Sequence, residues 1–500
     1  MIRALRHACA AALCLLGAAL SAVAQDVTLT SRDKSIEISG NLLGFDGTYY
    51  RVDTVYGELT IDGSGVLCEG PACPNLEAFV AEIAFSGTPA IGRVLLPALI
   101  EGFARQAGYE VTRTDIGDAR VQYDFWNPDV SALVGVFAIH MTSNDEGFAD
   151  VLSNGADVAM SMRPVWEEEI VLSQEAGFGD MTSAAQHDVV ALDALIPTVA
   201  RELALAELTI DQIAGLLGGQ ISSWDMLGEG EAAALTVALS GAQHDILQPF
   251  LEALAAYGHA NLQTDRLHAQ GGTGLSLDFA RYSARDGERR DVSISDQCGI
   301  VHAAGVQAIK SLEYPFTLPM YLYRPMRRLP KIGQDFFAYI DGPSARRVVE
   351  RAGFVAMDAS ETSIEVQGHR LANAVALIGP EDLPALQTAV AQLKDRRLLS
   401  LTFRFTADGS EYDPNSSTSM KRLVRMADAG ELDGKSVLFA GFGDTEGLAD
   451  RVAQDFQAAF PVNPDLVQIS TVDLGKTLPL ACAETARGQM LNQRVEVWLR

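Results

Sequence analysis

From residue 77 to residue 358 the chain alternates short apolar runs with amphipathic runs of helical period. In the first example, residues 83–103, an apolar run ends at Phe85 and a turn of small residues follows. Apolar side chains then recur every three or four positions, as far as Phe103. That spacing buries one face of a helix, whereas the short run before it suits a buried strand. The alternation predicts an α/β region with mostly parallel strands.

Ser86, Gly87 and Thr88 form the turn between this strand and helix. The first N–H groups of a helix lack partners within the helix, and the helix dipole places partial positive charge there. Hydroxyl groups at such a turn are suited to binding a small anion. The same residues also suit a helix cap that binds no ligand, and the turn alone does not separate the two interpretations.

Residues 1–24 have the pattern of a secretory signal peptide. Arg3 and Arg6 form a basic start, residues 8–20 are apolar, and the small residues 22–24 suit cleavage before Gln25. No later apolar run is long enough to span a bilayer. We therefore expect an exported protein of the periplasm with no transmembrane segment after removal of the signal.

The formal charge of −27 becomes −29 when Arg3 and Arg6 leave with the signal. A surface this acidic repels nucleic acid, so we expect no nucleic-acid partner. It also repels an anionic solute at long range. Any anion site must therefore depend on local donors.

Cys68 and Cys73 are close in sequence and, outside the cytoplasm, predict a disulfide. For Cys298 and Cys482 a disulfide, two free thiols and bonds to a partner all remain open. The eight histidines lack the spacing of metal ligands, so we expect no metal and no cofactor.

The patterns divide the mature chain into four parts. Residues 25–76 alternate polar and apolar side chains and predict a small β-rich domain, followed by the α/β region at 77–358. Residues 359–396 predict a linker with one helix, and 397–500 a compact domain of order β-α-β-α-β-β. Within the α/β region, Thr209 and Gly218 are the start and stop signals of one helix. Residues 275–282, after the glycines at 271–274, predict another.

Several segments of the α/β region resemble the phosphate-binding component of ABC importers, a type II periplasmic binding protein. The most specific is LTIDQI at 208–213 with GQISSWDMLG at 219–228, which is similar to the family's "LTLEQL…GKITNW…LGG". MSMRPV at 160–165 resembles its "MSSRPI", and the turn at Gly87 and Thr88 resembles its first anion-binding turn. Gly271-Gly272-Thr273 lies where the family has Ser-Gly-Thr.

This resemblance implies two α/β lobes, the second at about 191–310, with an oxyanion bound in the cleft and an ABC importer as partner. It implies a ligand site that includes Gly87, Thr88, Ser161, Arg163, Gly271, Gly272 and Thr273. We expect a nearby basic residue, Arg266 or His268, to join them, although neither lies on the family's arginine register. Arg163 would supply charge and a forked set of donors. The chain departs from the family by carrying Pro and Ala after Thr88, and glycine in place of serine at position 271. Both changes remove a hydroxyl, so the solute is phosphate, another oxyanion, or none.

The last domain resembles the C-terminal, peptidoglycan-associating domain of outer-membrane protein A (OmpA-like). GFGDTEG at 441–447 resembles the family's "GHTDxxG", and NQRVEV at 492–497 resembles its "NRRVEI". The resemblance implies that Asp444 contacts peptidoglycan and holds the protein at the wall or outer membrane. The family's arginine segment is missing, and Arg451, the nearest arginine on the next helix, lies earlier.

Together these features predict an exported solute-binding protein, not an enzyme. The alternative is a structural protein of the cell envelope whose anion site is degenerate. An enzyme that binds a dinucleotide is disfavoured, since the glycines at 441–447 have the wrong spacing for that loop.

Overall fold

The computed structural model describes residues 26–75, 79–183, 185–228, 233–239, 244–264, 267–268, 276–284, 288–405, 411–461, 463 and 465–500. They form two compact units. The first comprises the described residues up to Glu82 with Leu133–Gly135 and Arg328–Asp335, and the second comprises the rest. The predicted signal at 1–24 lies outside the described residues. In the described part of the chain, no helix is both long and apolar enough to cross a bilayer.

The first unit contains an antiparallel sheet of order β4-β3-β2-β1-β5. Its strands are β1 (Val27–Ser31), β2 (Glu37–Phe45), β3 (Tyr49–Thr54), β4 (Gly57–Asp62) and β5 (Val66–Glu69). Alternate side chains of β1 and β3 form its core, namely Val27, Leu29, Tyr50 and Val52. The predicted Cys68–Cys73 disulfide is confirmed.

The strands that follow are β6 (Ala81–Gly87), β7 (Glu110–Asp115), β8 (Arg120–Asn127), β9 (Ala132–Met141), β10 (Val158–Ser161), β11 (His187–Ala200), β12 (Glu207–Thr209), β13 (Thr236–Leu239), β14 (Leu267–His268), β15 (Ser276–Arg281), β16 (Arg289–Asp291), β17 (Ser293–Ser295), β18 (Val301–His302) and β19 (Thr317–Tyr323). The helices among and after them are α1 (Pro89–Gly92), α2 (Leu95–Ala107), α3 (Asn144–Leu152), α4 (Glu167–Glu175), α5 (Ile210–Leu217), α6 (His244–Ala255), α7 (Val306–Lys310), α8 (Lys331–Ile340) and α9 (Pro343–Arg351). The predicted mixed α/β class is confirmed.

Most of these strands lie in one mixed sheet of order β14-β13-β15-β11-β19-β10-β6-β9-β8-β7, with β16 paired to β11. A small sheet of order β12-β17-β18 is separate. β6 and β10 are parallel, but β11 is antiparallel to β15, β16 and β19. The expectation of mostly parallel strands is therefore wrong in the middle of the sheet, because the chain reverses direction between β11 and β19.

Strands β11 and β19 connect the two halves of this sheet. His187 and Val189 of β11 pair with β19 on the side of β10, whereas Leu195 and Thr198 pair with β15. Residues 187–199 of β11 are all buried, as expected for a strand covered on both faces. We call the part built on β10 with α1–α4 the first lobe, and the part built on β12–β18 with α5–α7 the second lobe.

The helix predicted at residues 275–282 is wrong. Ser276–Arg281 is strand β15, which pairs with β11 and β13. Leu277 and Phe279 are both fully buried. These two residues lie on one face of the strand, and Ser276 and Asp278 alternate with them, which is the period of a strand. The helix interpretation rests on the helical spacing of residues 275, 279 and 282, which masks this alternation.

A further sheet of order β20-β21-β24-β22-β23 lies beyond α9, and we call residues 361–499 the C-terminal domain. Its strands are β20 (Glu361–Ser363), β21 (Arg397–Arg404), β22 (Ser436–Phe442), β23 (Gln468–Asp473) and β24 (Arg494–Leu499). Its helices are α10 (Gly368–Leu377), α11 (Leu383–Leu393), α12 (Pro414–Asp428), α13 (Leu448–Ala459) and α14 (Ala486–Asn492). From residue 397 this is the predicted strand and helix order with the short helix α14 added.

Both faces of this sheet are covered. Phe403, Phe439 and Val497 belong to a core shared with α12 and α13. On the other face, Trp498 packs in a core that includes Leu393 of α11 and residues of α10. The segment predicted as a linker at 359–396 thus contains one strand and two helices that cover the sheet.

Glu496 lies at the centre of a buried ion network that joins α10 to β24. Its Oε1 accepts from Arg494 Nε (2.7 Å) and from Arg370 Nη2, and its Oε2 accepts from Trp498 Nε1 (3.1 Å). Burial opposes ionisation of Glu496, but the two arginines outweigh it and lower its pKa to about 2. The carboxylate stabilises the fold only while it is charged.

We expect Glu496→Gln to reduce the free energy of unfolding at pH 7 by about 3–5 kcal/mol, because Arg494 loses the carboxylate to which it donates and Arg370 keeps only the more distant Glu313, at 3.7 Å. The folded-state pKa lies below the usual value of 4.5, so the stabilisation is complete above pH 4.5 and is lost as pH falls towards 2. Urea denaturation of the wild type and of Glu496→Gln between pH 7 and pH 2 measures this effect. The difference between their free energies of unfolding should shrink as the pH falls from 4.5 towards 2.

Glu361→Gln is the matched control, because Glu361 also pairs with two cations, Lys435 and Arg397, but is partly exposed. We expect a loss below about 1 kcal/mol. Equal losses in the two variants would contradict the assignment of Glu496 as a buried structural charge.

Candidate functional site

The first predicted turn brings Gly87 and Thr88 against the end of β10. Gly87 has φ of +137° and is paired with Met160, and a Cβ at Gly87 would overlap the Met160 carbonyl oxygen. The next amide, Thr88 N, donates to that same oxygen (3.0 Å). Only glycine allows this close approach, so β6 and β10 meet edge to edge at the turn.

Thr88 is the N-cap of α1 and is fully buried. Its Oγ1 accepts from Ala90 N (3.2 Å), and its carbonyl accepts from Ile91 N and Gly92 N (both 3.1 Å). The amides expected to bind an anion are therefore bonded within the protein. The hydroxyl hydrogen of Thr88 has no acceptor among the described residues.

Ser161 ends β10 beside this turn. Its Oγ donates to Arg163 O (2.8 Å) and accepts from Arg163 N (3.1 Å), which closes a local turn after the strand. The side chain is fully buried. Ser161 therefore shapes the path of the chain into Arg163, and its hydroxyl is occupied in doing so.

The Arg163 guanidinium is fully buried, and all five of its N–H donors are bonded within the protein. Nε and Nη2 donate to Asp145 Oδ1 (3.1 and 2.7 Å), and Nη1 and Nη2 donate to the two carboxylate oxygens of Glu169 (2.9 and 2.7 Å). The remaining donor of Nη1 contacts Pro164 O (3.0 Å). The guanidinium also lies 3.5 Å from the centre of the Trp166 ring.

These contacts place one positive and two negative charges at the edge of the first lobe. Burial acts to lower the pKa of Arg163, but hydrogen bonds to Glu169 and Asp145 outweigh it and raise that pKa. The two carboxylates differ in solvent access, with side-chain exposure of 56% for Asp145 and 12% for Glu169. Asp145 is thus the partner that can leave Arg163 for solvent.

Asn144, the neighbour of Asp145 at the start of α3, connects the two lobes. Its Oδ1 accepts from Met162 N (2.9 Å) in the first lobe, and its Nδ2 donates to Asp245 O (3.2 Å) in α6 of the second. Two turns further along α6, burial raises the pKa of Glu252, and the nearby Arg163 and Asp145 charges act on it in opposite directions. The second lobe therefore approaches the first beside Arg163.

Gly87, Thr88, Ser161 and Arg163 thus lie together around the end of β10. The other predicted ligand residues, Arg266, Gly271, Gly272 and Thr273, lie outside the described residues. Sequence analysis missed Asn144, Asp145 and Glu169. A signal was present, because acidic residues follow both Ser143 and Trp166 at the start of a helix, where carboxylates are favoured.

A second candidate site is a cavity of about 310 Å³ in the C-terminal domain, lined by residues 441–446 with Asp473, Gly475 and Lys476. Asp444 lies in its wall, and its Oδ1 is 2.6 Å from Lys476 Nζ, with both side chains largely exposed. Arg451 does not line this cavity. Its guanidinium lies 5.0 Å from the centre of the Phe405 ring.

No group of three or more His, Cys, Asp or Glu side chains in the described part of the chain is placed to hold a metal ion. No family model matches the sequence, and no curated protein matches it.

Solved structures do align with the chain. An ABC-type phosphate transport receptor from Vibrio cholerae aligns at 15% identity and a TM-score of 0.40, covering 55% of this chain and 99% of that one. A substrate-binding protein assigned to a phosphate ABC transporter of Clostridium perfringens, solved with bound phosphate, aligns at 16% and 0.40 with the same coverage. PstS from Borrelia burgdorferi aligns at 15% and 0.39, covering 55% and 98%. Similarity at this level identifies no ligand or partner for this chain.

We expect Gly87→Ala to destabilise the protein by at least about 2 kcal/mol, because a side chain here has both an unfavourable φ and an overlap with Met160. Gly108→Ala is the control, since Gly108 also has positive φ, +78°, but has open space around its Cβ position. Urea denaturation should give a smaller loss for Gly108→Ala. Equal losses of free energy of unfolding in Gly87→Ala and Gly108→Ala would show that the contact between β6 and β10 at the turn is not tight.

Proposed function

We propose that this chain is an exported solute-binding protein that captures an oxyanion of the phosphate class between its two lobes, beside Arg163. The observation that carries the proposal is the Arg163 guanidinium, a forked cation at the junction of the two predicted turns, one of whose carboxylate partners is exposed. Delivery of the solute to an ABC importer in the periplasm belongs to the same proposal.

The charges around Arg163 define how the anion would bind. With Asp145 and Glu169 both in place, the group already carries one net negative charge, and a further anion would be repelled. An oxyanion that replaces the Asp145 carboxylate keeps the charge balance and accepts the same N–H groups. The Thr88 hydroxyl, with no acceptor among the described residues, is the donor nearest in sequence to join it. The solute therefore competes with Asp145 for Arg163.

We expect Asp145→Asn to bind inorganic phosphate about tenfold more tightly than the wild-type protein, because the competing carboxylate is removed. Isothermal titration calorimetry of the two mature proteins measures this change directly. The matched control is Glu146→Gln, which removes the same charge one position further along α3 without a contact to Arg163. Its affinity for phosphate should change much less.

Equal affinities for phosphate in wild type, Asp145→Asn and Glu146→Gln would place the anion away from Arg163. Absence of binding to phosphate, sulfate and related oxyanions in all three proteins would contradict the solute-binding proposal itself.

A second candidate function is attachment to the cell wall through the cavity at Asp444. The OmpA-like resemblance implies a peptidoglycan-binding carboxylate at this position, and the cavity supports that role with an open, polar lining and opposite charges from Asp444 and Lys476. The carboxylate suits an ammonium group and the lysine a carboxylate group of a wall peptide. Arg451 lies outside the cavity lining, so Lys476 takes the cationic part in this proposal.

We expect purified peptidoglycan to retain the mature protein, and Asp444→Asn to lower the retained fraction about tenfold. Asp465→Asn removes the same charge from an exposed position outside the cavity and should be retained like the wild type. Loss of retention in both variants would indicate nonspecific electrostatics. If peptidoglycan does not retain the wild type, the proposed attachment to the cell wall through this cavity is contradicted.

A further inference from the structure

The C-terminal domain contacts the second lobe and, on the side of the first lobe, the connecting strand β11 and the residue that follows α8. On the side of the first lobe, helix α12 reaches strand β11. There Lys421 Nζ lies 3.5 Å from Asp188 Oδ1, and Arg422 Nη2 donates to Val189 O (3.2 Å). Arg425 of the same helix donates to Asp341. Two of these contacts are made to the part of β11 that pairs with β19, and β19 in turn pairs with β10.

On the side of the second lobe, the contacts come from other elements of the C-terminal domain. Arg404 Nη2 of β21 donates to Ser311 O (2.8 Å), just after α7. Asn373 Nδ2 of α10 donates to Val301 O (3.1 Å) in β18. One domain therefore spans the junction between the lobes, and it does so beside the strands that connect them.

A disulfide adds a covalent link at the second lobe. Cys298 and Cys482, separated by 184 residues, are bonded to each other. The buried Asp296 supports the link, because its Oδ1 accepts from Cys298 N (3.0 Å) and its Oδ2 accepts from Cys482 N (2.6 Å). The C-terminal domain is thus tied to the central region twice, by its own chain and by this bond.

The noncovalent contacts between the C-terminal domain and the lobes leave some arginine N–H groups without an acceptor among the described residues. Arg404 is buried, yet its Nε has no acceptor among the described residues, and the same holds for Nη1 of Arg422. Burial lowers the pKa of both arginines to about 10, and carboxylates farther away offset only part of that effect. A buried cation with an unpaired N–H favours an undocked state in which water reaches it. The covalent link therefore opposes undocking where these two arginines favour it.

We propose that the C-terminal domain is a clamp that holds the two lobes at one relative angle, and that the Cys298–Cys482 disulfide keeps the clamp closed. Lobes joined by two strands can change their angle by hinge motion at those strands. A body bonded to both sides of the hinge restricts that motion, and a tether at the second lobe raises the effective concentration of the docking surfaces. The inference does not depend on which solute binds.

The test compares three full-length mature proteins, namely the wild type, Cys298→Ser with Cys482→Ser, and Cys68→Ser with Cys73→Ser. The last pair is the matched control, because it removes a disulfide between cysteines only five positions apart within the first unit. Hydrogen exchange should be about tenfold faster at α12 and at residues 296–302 in the first variant only, while β22 and β24 stay protected. Small-angle scattering should show a larger radius of gyration for that variant.

Reduction of the wild type gives a second measurement that needs no substitution. A dithiol such as dithiothreitol supplies two electrons and two protons, so that the S–S bond is cleaved to two thiols and the reagent becomes a cyclic disulfide. Reduced wild type should match the first variant in exchange and scattering, and reoxidation should restore the protected state.

Unchanged exchange and scattering in the first variant and in the reduced wild type would overturn the proposal. Global unfolding in both would also overturn it, because the disulfide would then support the fold of the lobes and not their docking. Faster exchange at residues 296–302 with α12 still protected would overturn the two-sided clamp, since the first-lobe contact would be independent of the bond.

Discussion

Burial of the Arg163 guanidinium is the constraint around which the polar edge of the first lobe is arranged. An isolated buried cation is unfavourable, so its donors must be satisfied within the protein. Asp145 and Glu169 satisfy most of them, and each stands at the start of a helix, where a carboxylate also complements the helix dipole. The arginine therefore holds the starts of α3 and α4 at the end of β10. It also places Asn144 where it contacts the second lobe.

Two other groups of buried charged side chains in this chain are paired in different ways. Glu496 is surrounded by Arg370, Arg494 and Trp498, and this network joins α10 to the sheet of the C-terminal domain. Arg404, by contrast, donates to one backbone carbonyl, and among the described residues it has neither a salt bridge nor an acceptor for its Nε. A buried arginine with a carboxylate partner stabilises one arrangement, whereas a buried arginine without one leaves the undocked state within reach. This contrast separates the interior of the C-terminal domain from its interface with the lobes.

Much of the local structure could be predicted from the sequence, because the interactions involved span only a few residues. The helix expected from Thr209 to Gly218 is α5, capped by reciprocal bonds between Thr209 and Gln212. The helix interpretation of residues 275–282 failed, since the helical spacing of residues 275, 279 and 282 masks the period-2 alternation of residues 275–279. For the candidate site, Gly87, Thr88, Ser161 and Arg163 could be named from motifs. Of the partners of Arg163, Glu169 had a local signal, six residues further on in the first turn of α4, whereas Asp145 comes from a helix placed beside Arg163 by the order of the strands.

The sequence by itself determined where turns, helix caps and the Cys68–Cys73 loop form, since each depends on backbone geometry within about five residues. Tertiary structure alone decided that Cys298 pairs with Cys482 and that Arg163 is neutralised by carboxylates and not left open. Both outcomes require segments far apart in sequence to meet at bonding distance. That meeting depends on the strand order and on burial, neither of which a local pattern contains.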